Sequence, residues 1–182
     1  PKYPPVIFSF VGRLLEDKGF KILIDAFNLA LKKDNKIQLL VAGSIDKYNP
    51  SAVNEAYLNK ISYNKNIKWL KEVKDIRDIW KKSHVAVLPS RREGLPMSLL
   101  EAAANGRAII ATDVPGCREI AIDKHNAILV PRDDIKILSE AILFLASNHS
   151  IRRNYGLNSR KIVENDMSLD KVIDKTISVY SI

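Results

Sequence analysis

Short apolar runs that alternate with amphipathic helical segments dominate this sequence. Val6–Val11 is a nearly continuous apolar run rich in Val and Phe, which is typical of a strand buried on both faces. From Phe20 to Leu31 the apolar residues recur at the i, i+3, i+4, i+7 spacing of an amphipathic helix. Because the alternation continues along the chain, it predicts βαβ crossovers and a three-layer α/β domain with a mostly parallel sheet and a helical C-terminal tail.

The remaining predicted elements follow the same two patterns. The further predicted strands are Ile37–Ala42, Ile67–Leu70, Val85–Leu88, Ala108–Thr112 and Ala127–Val130. The further predicted helices are Ala52–Ile61, Asp75–Lys82, one that follows Pro96 and ends at Ala104, a short one at Arg118–Ile122, and then Asp133–Ala146, Ile151–Asn165 and Leu169–Tyr180.

The length of 182 residues suits one domain with a single sizeable core and is too short for two full domains. Residues 1–5 contain three prolines, which predicts a stiff, extended segment. We therefore interpret 1–5 as an interdomain linker remnant and 6–182 as the domain. Because the chain starts with Pro1, we expect it to be the C-terminal piece of a longer protein.

Charge and cysteine content narrow the class of protein. Lys and Arg number 29 against 21 Asp and Glu, and the net charge of +8 suits a polyanion, a phosphate-bearing small molecule or an anionic membrane face. Nucleic acid is disfavoured, because the lysines are spread without interleaved aromatic residues. The single Cys117 excludes an internal disulfide and favours a reducing compartment such as the cytoplasm. No charged start followed by an apolar core predicts a signal peptide, and no apolar run reaches the about 18 residues that a membrane span needs.

The loop after the first predicted strand combines glycines with positive charge. Gly12, Arg13, Lys18 and Gly19 follow that strand directly and precede a helix. In parallel sheets, ligands bind outside the carboxyl ends of the strands, and two cations on such a turn suit a phosphate. The spacing matches neither the NTPase phosphate loop nor the dinucleotide fingerprint. Taken alone, the loop could equally be a solvated turn.

The loop after the fourth predicted strand leads into a helix at the same edge of the sheet. Pro96 suits the first helical turn because it has no amide hydrogen to lose. We expect the amides of Met97–Leu99 to be free and to attract an anion such as a diphosphate. Glu93 lies in the loop, and Glu101 lies about 7.5 Å along the helix axis. The two carboxylates could therefore hold hydroxyl groups on either side of that anion.

Glu93 and Glu101 are separated by seven residues, and this segment resembles the E-x7-E signature of retaining glycosyltransferases of the family 4 type. The Gly12–Gly19 loop resembles the first phosphate-contacting loop of the same family. The segment 103–120 is also similar to the family, through Gly106, Thr112, Pro115, Gly116 and Glu119. The resemblance covers essentially the whole chain. It implies a Rossmann-like domain that is the C-terminal, nucleotide-sugar-binding half of a two-domain GT-B enzyme.

The resemblance also implies a donor site. The residues expected in it are Glu93, Arg13 and Lys18 as catalytic groups, and Gly12, Gly94, Leu95, Pro96, Ser98, Leu99 and Glu101 as donor-binding residues. Arg13 and Lys18 are expected to hold the donor diphosphate, and replacing either should weaken that binding without disturbing the fold. Glu101 is expected to bind the ribose hydroxyls and Glu93 to lie beside the transferred sugar.

The backbone has its own expected roles. Amides near Gly94 and Leu95 are expected on the sugar hydroxyls, and those near Ser98 and Leu99 on the phosphate and ribose. Two departures from the family affect the base contacts. The family often has Gly-x-Gly after the second strand, where this chain has Gly43-Ser44-Ile45, and a glycine near the base, where this chain has Lys71.

The partners expected from the resemblance are a nucleotide-sugar donor and an N-terminal acceptor domain of the same polypeptide. The segment Asp113–Glu119 resembles bacterial enzymes of surface polysaccharide synthesis that use UDP-sugars. No cofactor and no metal are expected, because His84, His125 and His149 lack metal-ligand spacing. Peripheral membrane association of the longer protein stays open. So do two alternative functions: another GT-B sugar-nucleotide enzyme, such as an epimerase or phosphorylase, and a non-enzymatic phosphate-binding module.

Overall fold

The computed structural model describes residues 5–167 and residue 177. The strands are β1 (Val6–Val11), β2 (Ile37–Ala42), β3 (Ile67–Trp69), β4 (Val85–Leu88), β5 (Ala108–Thr112) and β6 (Ala127–Val130). The helices are α1 (Phe20–Leu31), α2 (Glu55–Ile61), α3 (Arg77–Lys82), α4 (Met97–Ala104), α5 (Pro115–Arg118), α6 (Ile135–Ser147) and α7 (His149–Asp166).

The six strands form one parallel sheet in the order β3-β2-β1-β4-β5-β6. The central strands are buried on both faces, since every residue of β4 and β5 is buried. These observations confirm the predicted Rossmann-like α/β fold. Because β3 and β4 lie on opposite sides of β1, the chain reverses its direction across the sheet there. The connections after β1 and β4 therefore lead to helices on opposite faces of the sheet, and a crevice lies at the carboxyl edge there, where such sheets bind ligands.

Helices cover both faces of the sheet. Right-handed crossovers place α1 and α2 on one face and α3, α4 and α5 on the other. The last two described helices split between the faces, because α6 packs against α1 and α7 packs against α4 and β5. α1 buries the apolar stripe that its spacing predicted, including Phe20, Leu23 and Phe27. None of the helices described within 5–167 is long and apolar enough to cross a membrane.

Two predicted helix positions are wrong. α2 begins at Glu55 instead of Ala52, because the side chain of Asn54 accepts a hydrogen bond from the Ala56 amide at 2.7 Å and caps the helix there. The short helix predicted at Arg118–Ile122 is Pro115–Arg118, with proline at its first position. The predicted last helix, Leu169–Tyr180, lies outside the described residues except for Ile177, and so do residues 1–4 of the predicted linker.

Candidate functional site

The β1 loop is anchored by apolar side chains between its two cations. Leu14 and Leu15 are buried, and the Leu14 amide donates to the carbonyl of Ser44 at 3.1 Å. Arg13 therefore lies at the start of an anchored loop, and its guanidinium contacts Asp46 at 2.9 Å. More than half of the Arg13 side chain is exposed, so this guanidinium can reach an incoming ligand.

The β1 and β4 loops are packed directly against each other. Gly19 has a φ of 70°, and a Cβ at this position would lie 1.9 Å from the Pro89 carbonyl oxygen. Hydrogen bonds continue the contact, because Asp17 O accepts from the Arg91 amide at 2.9 Å and from the Ser90 hydroxyl at 3.1 Å. Gly19 therefore permits the approach that brings the two loops into one site.

Lys18 and Glu93 form an ion pair in this structure. Lys18 Nζ lies 2.6 Å and 2.8 Å from the two carboxylate oxygens of Glu93. The Glu93 side chain is 7% exposed and that of Lys18 is 27% exposed, so the carboxylate lies largely out of water. Neighbouring arginines have other partners: Arg91 contacts Asp133 at 2.9 Å, and Arg92 lies 3.8 Å from Asp17. Glu93 is therefore paired with Lys18, the residue expected to bind the diphosphate, and not with its sequence neighbours Arg91 and Arg92.

At the start of α4, one of the three amides that were expected to be free is hydrogen-bonded. Pro96 precedes the helix, and its carbonyl accepts from the amides of Leu99 at 2.9 Å and Leu100 at 3.1 Å. The Leu99 amide is therefore not free. Within the described part of the chain, no acceptor lies on the amides of Met97 and Ser98, which remain available to an anion.

The predicted donor-site residues lie together at the carboxyl edge. A cleft of about 400 Å³ lies between the β1 loop, the β4 loop and the first turns of α4. It is lined by Gly12, Arg13, Lys18, Glu93, Leu95, Pro96, Ser98 and Glu101, together with Val11, Leu88 and Met97. Two predicted residues do not line it: Leu99 is buried beneath the helix, and Gly94 is exposed on the loop. Cations and carboxylates thus face one cleft next to free helix amides.

Gly116, which the sequence analysis did not place in the site, supports the loop that carries Glu93. Gly116 is buried in α5, and a Cβ there would lie 2.2 Å from the carbonyl oxygen of Gly94 and 2.3 Å from that of Glu93. The next residue, Cys117, is fully buried, and its burial, with a further contribution from the nearby Glu93, raises the pKa of its thiol to about 12. Gly116 therefore permits the close approach of the Glu93 loop to α5. The Cys117 thiol stays protonated near neutral pH because its pKa is raised.

Neither departure near the predicted base site separates the loops after β2 and β3. Lys71 has a φ of 57°, the left-handed conformation that glycine adopts without strain, so its backbone keeps the shape that a glycine would have. Its carbonyl accepts from the Gly43 amide at 2.8 Å, and Trp69 Nε1 donates to the Gly43 carbonyl at 3.0 Å. Ile45 packs against the core. The loops after β2 and β3 are therefore joined despite both substitutions.

Within 5–167, no three His, Cys, Asp or Glu side chains lie together as an ion would require.

Known proteins are similar to this chain over nearly all of its length. Residues 5–148 match the family described as glycosyl transferases group 1. The capsular polysaccharide biosynthesis glycosyltransferase CapM of Staphylococcus aureus is 30% identical over 175 residues, 96% of this chain and 46% of CapM. The structure of a point mutant of S. aureus TarM in complex with fondaparinux, alpha-GlcNAc-glycerol and UDP has a TM-score of 0.85 at 21% identity, over 99% of this chain and 36% of TarM.

A solved single domain resembles most of this chain. The C-terminal domain of the group 1 family glycosyl transferase LpcC from Francisella tularensis matches with a TM-score of 0.76 at 23% identity, over 91% of this chain and 88% of that domain. This chain spans about half the length, or less, of the curated relatives that it matches. The structural matches show the fold of a GT-B C-terminal domain. Together with the family match over most of the chain, they show that this chain belongs to the group 1 glycosyl transferases.

Proposed function

We propose that this chain is the donor-binding half of a retaining glycosyltransferase that uses a UDP-sugar. The observation that carries the proposal is the carboxyl-edge cleft, which Arg13, Lys18, Glu93 and Glu101 line beside the start of α4. A nucleotide diphosphate sugar needs cations for its diphosphate and carboxylates for its hydroxyls, and the cleft offers both. The UDP in the TarM structure, which has the same fold, supports this choice of nucleotide.

In the proposed reaction, the bond between the anomeric carbon and the diphosphate breaks, and a bond to an acceptor oxygen forms on the same face. The acceptor hydroxyl loses its proton, which leaves with the departing nucleoside diphosphate. Negative charge develops on the departing diphosphate. Lys18, Arg13 and the amides of Met97 and Ser98 would stabilise that charge, which is the kind of electrostatic contribution that often dominates catalysis. Glu93 would lie beside the sugar and Glu101 would hold the ribose. No step requires a metal ion.

The acceptor would be a saccharide or a lipid-linked saccharide, bound by an N-terminal domain of the same polypeptide. That division fits the relatives, of which this chain covers less than half. We assign the pathway to bacterial surface polysaccharide synthesis because CapM is named for capsular polysaccharide biosynthesis. The nucleotide-sugar donor and the single cysteine favour the cytoplasm. Alone, this chain would bind donor and transfer little.

We expect the 182-residue chain to bind UDP and UDP-sugars without added metal. Titration calorimetry in the presence of a chelator measures this, with GDP and ADP as competing nucleotides and circular dichroism to show that the sample is folded. Binding is expected to be weak, because half of the interdomain cleft is missing. A folded sample that gives no heat with any of the three nucleotides or their sugars would overturn the donor-site assignment.

Glu101→Gln and Glu93→Gln are expected to affect different ligands. Loss of the Glu101 carboxylate should lower the affinity for both UDP and UDP-sugar by about five- to a hundredfold, since hydrogen bonds between a charged group and hydroxyls are strong. Glu93→Gln should lower only the affinity for the UDP-sugar. It should bind UDP at least as well as the parent, because the carboxylate that holds Lys18 is removed. Equal affinity profiles for the two variants would show that the proposed division is wrong.

A further inference from the structure

The side chain of Ser90 lies between the two loops that form the donor cleft. Ser90 follows the last residue of β4 by two positions and is fully buried. Its hydroxyl lies 3.1 Å from the carbonyl oxygen of Asp17 in the β1 loop and 3.0 Å from that of Arg92 in the β4 loop. A serine hydroxyl carries one hydrogen, so the two carbonyls share it. One buried group therefore links both loops.

The two carbonyls belong to the residues that immediately precede Lys18 and Glu93. A peptide unit is planar and joins the carbonyl of one residue rigidly to the Cα atom of the next. A hydrogen bond to the Asp17 carbonyl therefore restrains the Cα atom of Lys18. In the same way, a hydrogen bond to the Arg92 carbonyl restrains the Cα atom of Glu93. Ser90 thus acts on the two backbone positions that carry the ion pair of the cleft.

The ion pair depends closely on the distance between these two positions. Lys18 Nζ contacts the two carboxylate oxygens of Glu93 at 2.6 Å and 2.8 Å. A displacement of about 1 Å would take both contacts beyond hydrogen-bond range. Because the Glu93 carboxylate lies largely out of water, solvent would not fully replace its lost partner. The pair therefore requires that the two loops keep one fixed position relative to each other.

The side chains next to Ser90 contribute less to holding the loops together. Arg92 lies 3.8 Å from the Asp17 carboxylate and is exposed, and such surface pairs add little stability. The Arg91 side chain is directed to Asp133. The Arg91 amide does donate to the Asp17 carbonyl at 2.9 Å. Within residues 5–167, however, no donor other than the Ser90 hydroxyl lies on the Arg92 carbonyl.

We infer that Ser90 is a positioning residue of the donor site, whose hydroxyl sets the geometry of the Lys18–Glu93 pair. Its effect on the donor rests on the proposed function, in which Lys18 holds the diphosphate and Glu93 lies beside the sugar. Because the hydroxyl holds both loops, the cation and the carboxylate are arranged before the donor arrives, which lowers the entropic cost of binding. Ser90 itself does not reach the donor, since it is buried and its hydroxyl is already shared by two carbonyls.

A double-mutant cycle measured in two backgrounds tests the inference. The coupling between Lys18→Ala and Glu93→Gln is obtained by chemical denaturation of the 182-residue chain, first in the parent and then in Ser90→Ala. We expect the coupling to be largely lost in Ser90→Ala, because the two loops are no longer held at the pairing distance. A hydroxyl that only stabilised the fold would lower the stability of every variant in the cycle and leave the coupling unchanged.

Ser83→Ala is the matched control. Ser83 is also fully buried, and its hydroxyl donates to a backbone carbonyl, that of Ile79, at 2.7 Å. It lies before β4, whereas Ser90 lies after it, so its hydroxyl is at the opposite end of the strand from the donor cleft. The variant removes the same kind of hydrogen bond, and the coupling between Lys18 and Glu93 should equal that of the parent.

Donor binding provides a second measurement. Ser90→Ala should lower the affinity for a UDP-sugar by about five- to tenfold, the effect of one hydrogen bond, whereas Ser83→Ala should bind as the parent does. Calorimetry with UDP-glucose and with UDP-N-acetylglucosamine measures both affinities.

The two measurements distinguish the inference from the proposed function. A parent that binds neither UDP nor a UDP-sugar would contradict the proposed function, while the coupling would still decide the role of Ser90 in the ion pair. Coupling that Ser90→Ala loses and Ser83→Ala keeps supports this role. The inference is overturned if the parent shows no coupling, if the coupling persists in Ser90→Ala, or if Ser83→Ala loses it equally. It is also overturned if a UDP-sugar binds Ser90→Ala as tightly as it binds the parent.

Discussion

We expect Gly116→Ala to reduce UDP-sugar affinity at least about tenfold and to lower the free energy of unfolding by about 1–3 kcal/mol. The added methyl group would lie 2.2 Å from the Gly94 carbonyl oxygen and 2.3 Å from that of Glu93. Both neighbours are backbone atoms, so the Glu93 loop must shift. Calorimetry with a UDP-sugar and thermal unfolding measure the two effects.

Gly94→Ala is the matched control for stability. It adds the same methyl group to the loop that Gly116 supports, but nothing lies within 4 Å of the new Cβ. Its free energy of unfolding should stay within about 0.5 kcal/mol of the parent. If Gly116→Ala proves as stable as Gly94→Ala and keeps its donor affinity, the position of the Glu93 loop does not depend on Gly116.

We expect Lys18→Ala to lower the free energy of unfolding by about 2 kcal/mol, in addition to weakening diphosphate binding. The reason is Glu93, which is 7% exposed and would lose its charged partner. This revises the expectation from sequence that the variant would leave the fold undisturbed. Arg13→Ala should weaken diphosphate binding too, yet cost less than about 0.5 kcal/mol of stability, because its pair with Asp46 is more exposed.

A double-mutant cycle isolates the ion pair. In Lys18→Ala/Glu93→Gln, no unpaired carboxylate remains, so the double variant should be more stable than Lys18→Ala. Chemical denaturation of the parent and the three variants provides the four free energies. Equal stability losses in Lys18→Ala and Arg13→Ala would contradict a stabilising role for this ion pair.

Most of the fold could be predicted because it depends on patterns within short segments. Strands buried on both faces must be apolar throughout, so β1 and β5 are visible in the sequence, as is the apolar stripe of α1. Predictions were wrong where a single local hydrogen bond or proline set a helix boundary. Because of the Asn54 cap, α2 begins later than predicted. Because Pro115 occupies the first helical position, α5 begins earlier than predicted.

Most of the candidate site was also predictable, because the ends of parallel strands meet at one edge and a short motif supplies the carboxylates. The sequence could not predict that the Leu99 amide would donate a hydrogen bond to the Pro96 carbonyl. That outcome depends on how tightly the first turn of α4 closes. Gly116 was visible as part of a resemblance, but its role as the support of the Glu93 loop was not.

The sequence by itself determined the order of the elements, the edge of the sheet that carries the candidate site and most of the residues that line it. Tertiary structure alone decided which charges meet. Lys18 and Glu93 are 75 residues apart, and their pairing depends on the close approach of two loops at Gly19 and Pro89. The packing of α7 likewise places Arg107 near a helix that begins at His149. Charge pairing requires distances of a few ångströms, and only the packing of crossovers and helices sets such distances between remote segments.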